Sequence, residues 1–260
     1  MLKQILLLPV LSCCYWTLQA QTDLSDLFAP PTATEIAQVK TDWASRDYNA
    51  YDWTVEETAQ FQNTFTTVIA SHTFEGRRHY GFVRYPADYQ ATQSYPVLVF
   101  NHGGQGGVGI ASMGQFSNDC YRSFFIIMPS FRNEELRGAP VFNSDYVSDG
   151  PAGEMDGDTD DALRLLSGVI ANIAGADANR IGVTGGSRGG GVTHLMSAKD
   201  QRIKRTCVFF GATDHITHPG MQERVENHID NNAPIVPPES TAFNYGAAPY
   251  LNGDLTLTQA

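Results

Sequence analysis

The chain has 260 residues, a formal net charge of −11, 42% hydrophobic residues and 4 cysteines. That length can bury a substantial core and is most simply one domain. The negative charge argues against nucleic acid or an anionic membrane as partner, and so few cysteines imply no disulfide framework.

The N-terminal end reads as a secretory signal. Lys3 precedes the apolar run Ile5-Leu-Leu-Leu-Pro-Val-Leu11, which leads to Leu18-Gln-Ala20; the run is far too short to span a membrane. Residues 1–20 are therefore expected to be removed after Ala20 from an exported protein. Val10-Leu-Ser-Cys13 also fits a lipoprotein signal with lipid on Cys13. Cleavage after Ala20 leaves Cys120 and Cys207, and Cys207 sits in an apolar run that reads as buried core. Residues 21–62 are expected to form an N-terminal helical extension. Ile36, Val39 and Trp43 recur there at helical spacing, a face to lay against a sheet.

Residues 63–260 are assigned to the main domain. Thr64–Ala70 and Arg78–Tyr85 alternate enough to be antiparallel strands, with His72 and His79 beside their turn and carrying no site signal. Continuous apolar runs follow at Tyr95–Phe100, Phe124–Met128, Ile181–Thr184 and Cys207–Phe210. Such runs suit parallel strands covered on both faces. Between the second and third, Ala162, Leu165, Leu166, Val169, Ile170 and Ile173 form one apolar helical stripe. Asp158, Thr159, Asp160 and Asp161 suit capping at its start, and Gly175 suits its end. Strands alternating with helices imply an α/β architecture with a mostly parallel sheet. After Phe210 no convincing apolar strand follows, and the tail ends on the amphipathic fragment Leu251–Leu257. The fold is expected to be incomplete at its C-terminal end.

The sharpest signal is Gly185-Gly186-Ser187-Arg188-Gly189, between the strand ending at Thr184 and a helical pattern. G-x-S-x-G in the order strand, turn, helix is the setting of a nucleophile elbow. The flanking glycines let a sharp turn pass close to the incoming helix. Upstream, the strand Tyr95-Pro-Val-Leu-Val-Phe ends in Asn101-His102-Gly103-Gly104.

Together these two segments resemble the α/β-hydrolase fold, a three-layer sandwich. The run from Asp158 to Gly190 looks most like the prolyl oligopeptidase group of serine peptidases and their esterase relatives. The resemblance spans roughly residues 75–215 and implies a serine hydrolase that forms an acyl-enzyme on Ser187. It implies an oxyanion hole built from the Arg188 N–H and the His102-Gly103-Gly104 turn, through a backbone N–H or the His102 side chain. A tyrosine often follows the nucleophile in that family, whereas this chain has Arg188, which leaves the substrate-side contact open. With no propeller-sized segment ahead of the domain, a peptide bond and a small acyl ester are equally allowed. No cofactor is implied.

A serine needs a general base oriented by a carboxylate, and the family order is serine, acid, histidine. Asp214, His215 and His218 are the weak downstream candidates, with His228 beyond them. The competing reading is an exported binding protein that keeps the scaffold without a base. Three further patterns fail on their own chemistry. Gly104-Gln-Gly106-Gly-Val-Gly109 matches a dinucleotide fingerprint, but Glu134 stands too late and in a loop. Asp156-Gly-Asp158-Thr-Asp160 starts like a calcium loop but has Asp161 at its sixth position and Ser167 at its twelfth. Asp214-His215-x-x-His218 lacks a third metal ligand, and His194 reads as a packing or solvent-facing helix residue.

Overall fold

A computed structural model of the protein describes residues 28–151 and 155–211. The first element is helix α1 (Ala33–Ser45), opened by a capping box in which Thr32 and Glu35 satisfy each other's backbone N–H groups. An antiparallel meander follows, β1 (Tyr51–Phe61), β2 (Phe65–Phe74) and β3 (Arg77–Arg84). Next come β4 (Tyr95–Asn101), the short β5 (Val108–Gly109), 3-10 turns at Ile110–Phe116 and Asp119–Tyr121, and β6 (Phe125–Pro129). Two more short strands, β7 (Glu135–Arg137) and β8 (Tyr146–Val147), precede helix α2 (Met155–Asn172). Strand β9 (Ala176–Gly186), helix α3 (Arg188–Lys199) and β10 (Ile203–Phe209) complete the described chain.

The main sheet has seven strands in the order β1-β2-β3-β6-β4-β9-β10. Its half from β6 to β10 is parallel throughout, while β3 joins β6 antiparallel. The pleat divides the apolar runs between two cores. Phe125 and Ile127 of β6 join Val97, Val99 and Val183 under α2 and α3, with Ala162, Leu165, Leu166 and Val169 filling the helix side. Ile126 and Met128 point the opposite way, onto Phe65, Ile69 and Phe82 and onto Ile110, Met113, Leu136 and Phe142. Helices on one face and the segment from Val108 to Tyr146 on the other make three layers, as the alternation of strand and helix predicts.

Four expectations fail for identifiable reasons. The segment read as helical extension contains β1, whose Thr54, Val55, Thr58 and Phe61 pair across to β2. Helix α1 packs chiefly against α3, and none of its residues is buried. Asp160 and Asp161 lie inside α2, which begins at Met155, so they pair with cations rather than cap a terminus. Cys207 is exposed. Its strand has one neighbour among the described residues, and a groove of about 650 Å³ lined by Leu98, Tyr121, Phe124, Thr184, Cys207 and Phe209 runs over that end of the sheet. His72 and His79, set aside as turn-flanking, are register partners on β2 and β3 and are buried.

Candidate active site

Ser187 occupies the single residue between β9 and α3 and holds φ 54° and ψ −125°. A positive φ disfavours a residue with a Cβ, so packing must impose it. The glycines around it show how. A Cβ on Gly189 would lie 2.1 Å from the Asn101 carbonyl oxygen and 2.4 Å from that of His102. One on Gly185 would lie 2.4 Å from the Gly189 carbonyl oxygen. Strand β4, strand β9 and the first turn of α3 therefore meet backbone to backbone. The Ser187 N–H donates to the Phe209 carbonyl at 2.9 Å, and the Ser187 carbonyl accepts from Gly190 N at 2.9 Å.

Serine at a helix N-cap usually accepts a backbone N–H with its hydroxyl. Ser187 makes no such bond, is exposed, and stands at the carboxyl edge of the parallel strands. The N–H of Arg188 opens α3 and has no intrahelical acceptor, as for every first-turn amide. The other half of the predicted oxyanion hole arrives from β4. Gly103 packs so closely on the elbow that a Cβ there would lie 2.8 Å from the Gly186 carbonyl oxygen and 3.3 Å from Ser187 Cβ. The structure thus brings Ser187, Arg188 and the His102-Gly103-Gly104 turn into one place.

The two side chains in that group do not face substrate space. Arg188 is 6% exposed and His102 5%. Arg188 Nη2 donates to Asp158 Oδ2 at 2.5 Å, and Nη1 donates to Glu134 Oε1 and to the Gly104 carbonyl at 3.2 Å. Glu134 Oε2 accepts from Gly107 N at 3.1 Å and sits 3.3 Å from His102 Nε2. The His102 ring stacks on Phe131 at 4.3 Å, and the Arg188 guanidinium lies 4.8 Å from the same ring. The side-chain version of the His102 oxyanion role is therefore corrected: that ring is directed at Glu134 beneath the loop. Burial also pushes its pKa down, against the pull of Glu134. The substrate-side contact left open for Arg188 is answered in the same way, because its guanidinium points inward.

Asp158 is fully buried, and burial pushes its pKa up to about 7 despite the Arg188 guanidinium beside it. Arg188 is shared with Glu134, so one cation serves two carboxylates. Glu134 and Asp158 are the site residues that the sequence reading missed. No local signal could have found them, since Arg188 stands 54 positions from Glu134 and 30 from Asp158. The weak acid and base candidates Asp214, His215 and His218 lie outside the described residues. Among the described residues, no side chain hydrogen-bonds to the Ser187 hydroxyl, and no group of three or more His, Cys, Asp or Glu gathers as metal ligands. No helix among them is long and apolar enough to cross a membrane.

The architecture is similar to two solved acetyl xylan esterases. That from Paenibacillus sp. R4 is 18% identical with a TM-score of 0.52, over 92% of this chain and 78% of that one. Acetyl xylan esterase 1 from Thermoanaerobacterium sp. JW/SL YS485 is 16% identical with a TM-score of 0.52, over 88% of this chain and 71% of that one. No protein-family profile and no curated protein matches the sequence. At these identities the likeness establishes architecture: the chain has the α/β-hydrolase fold, with a mostly parallel central sheet and helices packed on it.

Proposed function

We propose that the protein is an exported serine hydrolase that cleaves small acyl esters or peptide bonds through an acyl-enzyme on Ser187. The observation that carries this reading is Ser187 itself, held at φ 54° with its hydroxyl uncapped beside the Gly103 loop. Ser187 Oγ attacks the acyl carbon and its proton passes to a base. The carbonyl oxygen, now negative, takes hydrogen bonds from the Arg188 N–H and a backbone N–H of the His102-Gly104 turn. Collapse expels the alcohol or amine, and water then releases the acyl group. The two acetyl xylan esterases of like fold make an acetyl ester the first substrate to try. The finer likeness to prolyl oligopeptidases rests on the sequence run from Asp158 to Gly190 alone. Export rests on residues 1–20 and is checked by the N-terminal sequence of the mature protein.

The test is turnover of 4-nitrophenyl acetate and of a chromogenic dipeptide amide by the full chain and by Ser187→Ala. Ester turnover falling at least about 10³-fold in Ser187→Ala supports the reading. Binding without turnover in the unaltered protein favours the scaffold-only alternative.

A further inference from the structure

The loop that carries one oxyanion donor has little of its own to hold it. Gly104, Gly106 and Gly107 all have positive φ, and Gly103 to Gly106 are exposed. Without side chains to pack, such a segment has much conformational freedom to lose when it is fixed. Arg137 donates to the Gly106 and Gly107 carbonyls at its far end, and Arg188 fixes the near end beside the elbow. Its guanidinium grips the loop directly at the Gly104 carbonyl. Through Glu134 it also reaches the Gly107 N–H and the His102 ring. Asp158 anchors the other side of the guanidinium to α2. The same residue supplies, through its main chain, the N–H at the head of α3.

We propose that the Arg188 side chain is a positioning residue that sets the spacing between the two oxyanion donors, its own N–H and that of the glycine loop. The claim rests on the hydrolase reading and adds to it a residue whose side chain never touches substrate. Guanidinium geometry is essential to it. A planar fork meets Glu134, the Gly104 carbonyl and Asp158 at once, whereas a lysine ammonium is a compact point charge that cannot span all three. Charge alone therefore does not rescue the site.

The experiment compares the full chain with Arg188→Lys, Glu134→Gln and Ser187→Ala. It reads kcat and KM for 4-nitrophenyl acetate together with amide hydrogen exchange over residues 102–110. The expected result for Arg188→Lys is a kcat about 10²-fold lower with KM within about threefold, the signature of a lost transition-state donor. Exchange at the Gly107 amide rises roughly tenfold or more while β4 and β6 stay protected. Glu134→Gln shows the same pattern at smaller size and carries the test if Arg188→Lys does not fold. An active parent with kcat within about threefold in a folded Arg188→Lys or Glu134→Gln overturns the positioning role alone. A parent inert toward the ester, or activity that survives Ser187→Ala, overturns the hydrolase reading and the positioning role with it.

Discussion

Two aspartates of α2, three residues apart and both buried, respond to their surroundings in opposite directions. At Asp161 burial alone would raise the pKa, but Arg132 and Arg164 hydrogen-bond the carboxylate and His79 adds to the pull, so the net shift is downward. At Asp158 burial wins and the pKa rises to about 7, because Arg188, the cation that hydrogen-bonds it among the described residues, divides itself with Glu134. The ratio of cations to carboxylates, not depth, decides the sign. Around Asp161 the helix forms a closed ionic anchor beneath β2 and β3. One turn earlier, Asp158 is under-compensated, and it lies under the elbow, where a reactive site needs loops held by polar contacts rather than by packing.

The largest effect is expected at the closed anchor. Asp161→Ala leaves two guanidinium groups without their acceptor and should cost about 3–5 kcal/mol of stability in urea unfolding. A loss below about 1 kcal/mol would show that solvent replaces the carboxylate and that the two aspartates are alike. Asp158 should behave differently. Its raised pKa means the folded state holds a proton that the unfolded chain releases near pH 4. Its stabilisation is full below that pH and is lost as pH rises through about 7. Asp158→Asn, which keeps an oxygen for Arg188, should therefore gain on the unaltered protein from pH 4 to pH 8, on the order of 2–4 kcal/mol. A pH-independent difference between the two would remove the asymmetry.

A smaller effect sharpens the anchor side. Burial, with the neighbouring His79, lowers the pKa of His72 to about 3. Its contribution is complete above pH 6.5 and is lost as pH falls toward 3. His72 Nδ1 has no partner, so a phenyl ring in its place gives up only the imidazole's hydrogen bond to the Asp161 backbone. His72→Phe should spare about 2 kcal/mol of the loss between pH 7 and pH 4.5. Equal acid sensitivity in both proteins would place the titration elsewhere.

Much of the scaffold was legible because its signals are local. Phe125–Met128 and Val97–Val99 are apolar on both pleat faces, and that alone places them inside a covered sheet. The elbow was legible because glycine at 185 and 189 is enforced by backbones within 3 Å. Strand β1 was missed because it is an edge strand, rich in Thr and Glu, with most of its residues exposed or half-buried. Cys207 misled because an apolar run at the edge of the sheet formed by the described residues looks the same as one in the middle. The ion cluster under Ser187 could not be read at all, since Arg188 stands 54 positions from Glu134 and 30 from Asp158. Acids at the head of a helix suit the dipole locally, and only the folded chain shows which cation takes each one.

Reaction with a fluorophosphonate, followed by peptide mapping, tests the strained serine most directly. The account predicts one covalent adduct per chain, on the peptide that contains Ser187, and none in Ser187→Ala. A folded protein that stays unmodified, or carries the adduct on another residue, would contradict it.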